Sequence, residues 1–349
     1  MNDLELLINK EAKLIEALEK LNQIKNYDDL TLFVYDENKR IIGSVTDGDL
    51  RRSLIKNKNF NQQVGDICNK NFSYLVESDE YQDLDKFKLK GVKLLPILNS
   101  NFLIKKVLDL TKIKSILPLE CVIMAGGRGK RLSPLTDKVP KPMLQLGNKP
   151  IIEHNIDRII SFGIKKIYIS VKYLGEQIKS HFGDGSSKGI EIEYIWEDKP
   201  LGTVGSLSLI NKLKNDNILL INSDLFTNVD FNKMYKSLLS NEADMVVAST
   251  KYKVDVPYAV FDHADNNKVS GFKEKPSYTY YSNAGVYIFK RKWISFIPKN
   301  SFFDITDLME LILNENKKII HEPILGYWVD IGSPNDYKNA KEQIKYLDE

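Results

Sequence analysis

Three glycines, an arginine and a lysine carry the most specific chemistry in the sequence. The run Ala125-Gly-Gly-Arg-Gly-Lys-Arg-Leu-Ser-Pro-Leu-Thr136 is followed by Pro140-Lys-Pro142. Gly126, Gly127 and Gly129 let the backbone turn sharply and bring its N–H groups close to a ligand. Successive N–H groups in such a turn form an anion-binding concavity, with Ala125 at its entry. Arg131 adds a bidentate fork and Lys141 a compact point charge. The spacing is neither a dinucleotide fingerprint nor a GxxxxGK[ST] loop. Asp224 follows an apolar run, residues 217–221, so its carboxylate would stand at the carboxyl end of a buried strand. Asp216 and Asp230 lack that setting and read as cap or turn formers.

The elements that must position these groups are legible as alternating patterns. Residues 121–125 form a short apolar strand that runs straight into the glycines. Helical spacing over 151–162 and 175–182 alternates with strands at 166–171, 190–195 and 217–221. Short apolar strands between helices predict a mostly parallel sheet covered on both faces. Such sheets bind ligands at the carboxyl ends of their strands. The first 115 or so residues have another texture, two copies of one α+β unit offset by about 62 positions. The first has helix 11–21, strands 32–35 and 41–45 and a helix from Asp47. The second has a helical stretch 79–89, strands 93–98 and 103–107 and a final helical piece. A repeat of this length predicts two units that bury their faces on each other. Pro118 marks the joint, so the expected division is 1–117 and 118–349.

The stretch from Val122 to Met143 resembles the signature of the sugar-phosphate nucleotidyltransferase family. More of that family's pattern follows in order. It comprises Leu201-Gly-Thr-Val-Gly205, Asn222-Ser-Asp224, Phe272-Lys-Glu-Lys-Pro276, Asn283-Ala-Gly285 and Trp328-Val-Asp-Ile-Gly332. The resemblance implies a Rossmann-like α/β domain. It also implies that a nucleoside triphosphate and a sugar 1-phosphate give a nucleotide sugar and pyrophosphate. The attacking phosphate oxygen is already anionic, so positioning and charge neutralisation matter more than a strong base. Mg²⁺ supplies both and needs only one or two carboxylates. The resemblance assigns it to Asp224 and Asp330. It also assigns the nucleotide to the glycine loop, Gly202 and Thr203, catalysis to Arg131, Lys141 and Asp224, and the sugar phosphate to Glu274, Lys275, Asn283 and Gly285.

Base choice turns on Glu197. Family members choosing uracil or thymine often place a glutamine near this point. An ionised glutamate only accepts hydrogen bonds, which suits the adjacent N1–H and N2 donors of guanine and penalises uracil. The other reading makes Glu197 a surface carboxylate, with base contacts left to the backbone. The pattern Glu-x-x-Pro-Leu-Gly-Thr also resembles mannose-1-phosphate guanylyltransferases. GTP is therefore the expected nucleotide, with UTP or dTTP as the alternative.

Gly43-Ser-Val-Thr-Asp-Gly-Asp-Leu-Arg-Arg52 resembles the second-strand-and-helix signature of CBS modules, and two copies make the usual pair. Thr46 and Asp49 match the pattern that holds the ribose of an adenine nucleotide, while Thr46 is equally a helix cap. In the second copy the matching positions fall on Leu108 and Thr111, which supply no carboxylate. Such pairs also dimerise, so a homo-oligomer is expected. The two modules together resemble the glucosamine-1-phosphate guanylyltransferases of bacterial legionaminic acid synthesis. That ranks glucosamine 1-phosphate first as acceptor and mannose 1-phosphate second. The rival class is a nucleotide-sensing regulatory protein whose transferase fold has lost its chemistry.

Composition closes off other classes. The 349 residues carry 50 Lys+Arg against 47 Asp+Glu, a net charge of +3 spread over both parts of the chain. A nucleic-acid or anionic-membrane partner would call for a lopsided balance. No apolar run reaches the length of a membrane span. The acidic N-terminus is no signal peptide. Two isolated cysteines fit a reducing cytoplasm. Four scattered histidines give little support to a His-based metal site or nucleophile.

Overall fold

The structure, a computed structural model, describes residues 3–77, 81, 83–263 and 265–346. The chain divides into two compact units, Met1–Ile116 and Leu117–Glu349.

The first unit holds the two repeats. Leu7–Asn9, Thr31–Tyr35 and Ile41–Thr46 form one three-stranded sheet, and Leu75–Val76, Leu94–Leu98 and Ile104–Asp109 form the other. In both, the first strand is parallel to the middle one and the last is antiparallel. Leu6, Tyr27, Phe33 and Ile41 of the first repeat share one core with Leu94, Leu98 and Val107 of the second. Neither three-stranded sheet could bury an apolar face alone, and each covers the other.

Three expectations shift here. Strands starting at 31 and 41 recur at 94 and 104, so the offset is 63. Thr46 and Asp49 therefore correspond to Asp109 and Lys112, not to Leu108 and Thr111. The reason is register, because Thr46 pairs with Thr31 and Asp109 with Leu94. The helix expected from Asp79 spans only Asp85–Lys88, and Asp79 lies outside the described residues. The final piece after Val107 continues as strand to Asp109. The Asp109 carboxylate then accepts from the Thr111 N–H and hydroxyl and fixes a turn.

The second unit is built on a seven-stranded sheet. Its order is Glu191–Trp196, Lys166–Val171, Leu119–Ala125, Asn217–Asn222, Ser277–Lys290, Met245–Asp255, Ile319–Pro323. Only Ser277–Lys290 runs against the rest. Val122, Ile218, Leu220 and Phe289 pack with Leu308 and Ile312 of the helix Ile305–Asn314. The alternate residues Cys121, Ile123, Leu219 and Ile221 are also buried, so both faces are covered. Among the described residues no helix is long and apolar enough to cross a membrane.

Strand order reverses next to Leu119–Ala125. The chain first moves outward to Lys166–Val171 and Glu191–Trp196, then returns to lay Asn217–Asn222 on the other side. A crevice opens at the carboxyl ends where such a reversal occurs. The glycine loop follows one of these strands, and Asp224 follows the other.

Candidate active site

Backbone pairing brings distant carboxylates together. Leu225–Thr227 pairs antiparallel with Trp328–Asp330, placing Leu225 opposite Asp330. The Ile331 N–H bonds the Asp224 carbonyl at 3.1 Å. Asp224 and Asp330 thus flank one point although 106 positions separate them. Lys141 sits between them. Buried Pro140 and Pro142 fix the backbone on either side of it, and Lys141 itself is 9% exposed. Its ammonium donates to Asp224 Oδ2 and lies 3.9 Å from Asp330 Oδ1.

This cluster leaves acceptor capacity unused. Asp224 Oδ1 is buried without a hydrogen-bond partner. Burial, then the neighbouring Asp224 charge, pushes the Asp330 carboxyl above its usual range, although Lys141 and Arg131 pull it down. A Cβ built on Gly332 would stand 3.4 Å from Arg131 Nη2, so glycine there leaves room for the guanidinium. Among the described residues no group of three or more His, Cys, Asp or Glu forms a closed metal cage. Two carboxylates with one free buried oxygen suit a cation that takes its remaining ligands from substrate and water.

The glycine loop is tied at its rear. Gly129 adopts φ +65°, and a Cβ there would approach Lys141 Cβ to 3.0 Å. The Thr136 hydroxyl, 2% exposed, donates to the Gly129 carbonyl at 2.9 Å. Around Gly127 a Cβ would meet nothing within 4 Å, so the tip stands open. Ala125 is buried at the strand end.

Glu197 lies beside this loop, and a Cβ on Gly126 would stand 3.2 Å from its Oε1. Its carboxylate is held on both sides. Oε1 accepts from the Ser170 hydroxyl at 2.5 Å and Oε2 from the Leu201 N–H at 3.2 Å. Gly202 and Thr203 have structural partners. Thr203 donates through its N–H to Asp304 Oδ1 at 2.9 Å, and its hydroxyl accepts from the Ile305 N–H at 2.6 Å. Gly202 has φ +77°, and a Cβ there would press 2.7 Å from the Phe303 carbonyl oxygen. The segment Leu201–Gly205 is therefore stitched to the start of the helix Ile305–Asn314. Asp230 caps the helix Phe231–Ser240, and the carbonyl of exposed Asp216, just before the strand Asn217–Asn222, accepts from the Arg291 N–H at 2.7 Å.

The acceptor-side candidates spread out. Gly285, at φ +74°, abuts the Asn222 amide, where a Cβ would come within 2.7 Å. Asn283 accepts from the Gly285 N–H at 2.9 Å. The Trp328 indole donates to the Ala284 carbonyl at 2.8 Å, which links that turn to the strand carrying Asp330. Glu274 and Lys275 lie in an exposed turn between the hairpin strand Val269–Lys273 and Ser277–Lys290, with Lys275 at φ +43°. Among the described residues neither makes a hydrogen bond or ion pair with the Asp224 cluster. In the first unit, Thr46 and Asp49 form a capping box. Asp49 Oδ2 accepts from the Thr46 N–H at 2.9 Å and its hydroxyl at 2.7 Å, and Oδ1 accepts from Arg52 at 2.6 Å.

Sequence reasoning missed Ser170, Tyr173 and Asp304. All three act on site segments through contacts distant in sequence. Only the strand parity that puts Ser170 beside Glu197 could have signalled one of them.

Residues 120–346 match the family described as "Nucleotidyl transferase", and residues 5–56 match the CBS domain. A Mycobacterium tuberculosis mannose-1-phosphate guanylyltransferase is 31% identical over 231 residues, 65% of this chain and 64% of that one. The chain thus spans somewhat under two thirds of that relative's length. A D-glycero-alpha-D-manno-heptose 1-phosphate guanylyltransferase from Aneurinibacillus thermoaerophilus is 30% identical over 65% of this chain and 99% of its own. Among solved structures, a putative glucose-1-phosphate thymidylyltransferase from Bacillus anthracis superposes with a TM-score of 0.53. It is 24% identical over 64% of this chain and 94% of its own, which speaks to fold alone. HddC from Yersinia pseudotuberculosis gives 0.50 at 26% identity, over 65% of this chain and 99% of its own.

Proposed function

Because the chain belongs to the nucleotidyl transferase family, we propose that it transfers a guanylyl group from GTP to a hexose 1-phosphate. An oxygen of the sugar phosphate forms a bond to the α-phosphorus of GTP, the α–β bridging bond breaks, and pyrophosphate leaves. The observation that carries this reading is the Asp224–Lys141–Asp330 cluster at the reversal of strand order, facing the glycine loop. Such a transfer rests on positioning and charge neutralisation, and the site residues are cations, carboxylates and backbone N–H groups.

Asp224 and Asp330 would hold Mg²⁺, and the unpartnered buried Asp224 Oδ1 favours it. When bound, the ion would offset phosphate charge. Lys141 keeps the two carboxylates together, and Arg131 adds positive charge on the Asp330 side. The loop N–H groups would receive the triphosphate. Glu197, pinned by Ser170 and Leu201, would present its remaining lone pairs to the guanine donors. Both sequence relatives named above are guanylyltransferases, which supports the base reading.

For the acceptor, the pairing of modules favours glucosamine 1-phosphate and hence legionaminic acid synthesis, whereas the mycobacterial relative's name favours mannose 1-phosphate. We treat the first unit as a regulatory and homo-oligomerising module. Its Thr46–Asp49 box is internally satisfied, so an adenine nucleotide would have to compete with these hydrogen bonds.

One panel tests the reading. Four NTPs are combined with glucosamine, N-acetylglucosamine, mannose and glucose 1-phosphates, and pyrophosphate release is read. GTP with glucosamine or mannose 1-phosphate should dominate. Pyrophosphate from no combination would favour the regulatory-protein alternative.

A further inference from the structure

The cations of the site are unequally committed. Lys141 is bonded to Asp224 and lies 3.9 Å from Asp330. A polyanionic nucleotide entering the crevice finds this ammonium already engaged with carboxylates. Arg128 is different. It stands at the exposed loop tip between Gly127 and Gly129, and among the described residues it has no carboxylate partner. Its guanidinium lies over the Tyr173 ring, 5.4 Å from the centroid. The Tyr173 hydroxyl in turn donates toward the carbonyls of Asp137, at 3.0 Å, and Thr136, at 3.2 Å. Gln177 binds the Lys138 carbonyl at 2.9 Å. One tyrosine therefore anchors the far limb of the loop and also provides a resting place for the arginine of the near limb.

We propose that Arg128 is a phosphate-binding residue for the β- and γ-phosphates of the nucleotide, held on Tyr173 until the nucleotide enters. This rests on the nucleotidyl-transfer reading and deepens it. An exposed guanidinium resting on a half-buried tyrosine ring is weakly held. The same group on phosphate makes charge-assisted, bidentate hydrogen bonds, so transfer from ring to phosphate is favourable. The loop permits the movement, because space around Gly127 is open and glycines flank the arginine on both sides. The α-phosphate is the one attacked, and the β- and γ-phosphates leave together. A cation on the latter pair would select triphosphate over monophosphate and stabilise the departing pyrophosphate.

The test uses the full-length protein and isothermal titration calorimetry with GTP and GMP. If another NTP proves to be the one bound, that NTP and its monophosphate serve instead. Arg128→Ala should weaken triphosphate binding by about tenfold or more, the scale of a lost charge-assisted contact, and leave monophosphate affinity within about twofold. Lys130→Ala removes the same charge two positions along and should change triphosphate affinity by less than about threefold. The proposal is overturned if Arg128→Ala weakens both ligands equally, if it weakens neither, or if Lys130→Ala matches its effect. A wild-type chain that binds no NTP would instead overturn the transferase reading, and this inference with it.

Discussion

Replacing Glu197 by glutamine isolates base recognition from everything else the residue does. The Glu197 N–H bonds the Val171 carbonyl at 3.1 Å, and that contact survives any side-chain change. The side chain has two internal partners, the Ser170 hydroxyl on Oε1 and the Leu201 N–H on Oε2. Each carboxylate oxygen has two lone-pair directions, so each keeps one for a ligand. In Glu197→Gln the amide carbonyl can stay on Leu201, while the amide NH2 turns to Ser170. A hydroxyl accepts as readily as it donates, so both internal bonds persist and Tm should move by no more than about 2 °C. Only the outward face changes, where one acceptor becomes a donor opposite a guanine donor. An unpaired buried donor costs about 1–3 kcal/mol. At about 1.4 kcal/mol per decade, kcat/KM for GTP should fall by roughly fivefold to 150-fold. UTP should lose less or gain, since a glutamine both donates and accepts. Pyrophosphate release with each nucleotide at a fixed sugar 1-phosphate gives the ratio. An unchanged GTP:UTP ratio would refute the argument, because general damage lowers both nucleotides and leaves their ratio alone.

Three further outcomes follow from the site. Asp224→Asn keeps the size of the side chain and removes the charge shared with Lys141, so turnover should fall about a hundredfold or more; near-normal rates at ordinary Mg²⁺ would remove Asp224 from the site. Gly202→Ala places a Cβ against the Phe303 carbonyl at a positive φ. Left-handed backbone strain alone is about 1–2 kcal/mol, so thermal denaturation should show Tm lowered by about 2–8 °C, and an unchanged Tm would contradict the close packing. A protein beginning at Leu117 should retain catalysis, because Leu117–Glu349 is a compact unit with its own core; a folded but inactive product in the pyrophosphate assay would show that the first unit is needed for chemistry.

The sequence by itself determined what local chemistry can encode. Apolar strands alternating with helices announced a mostly parallel sheet, because burial on both faces favours near-continuous apolar runs. The glycine loop, Asp224 after its apolar run and the cap at Asp230 were legible because each follows from a few adjacent residues. So was the existence of two N-terminal repeats, although not their register. A one-residue slip turns every strand side chain to the other face, and only the observed pairing moved the counterparts of Thr46 and Asp49 to Asp109 and Lys112. Tertiary structure alone decided which distant residues meet. The pairing of Leu225 with Asp330 put two carboxylates around Lys141, and the neighbouring strand put Ser170 against Glu197. It also gave Thr203 to Asp304 and rested Arg128 on Tyr173. These contacts join segments that pattern cannot connect, since side-chain periodicity reports which face a residue occupies and says nothing of what that face meets.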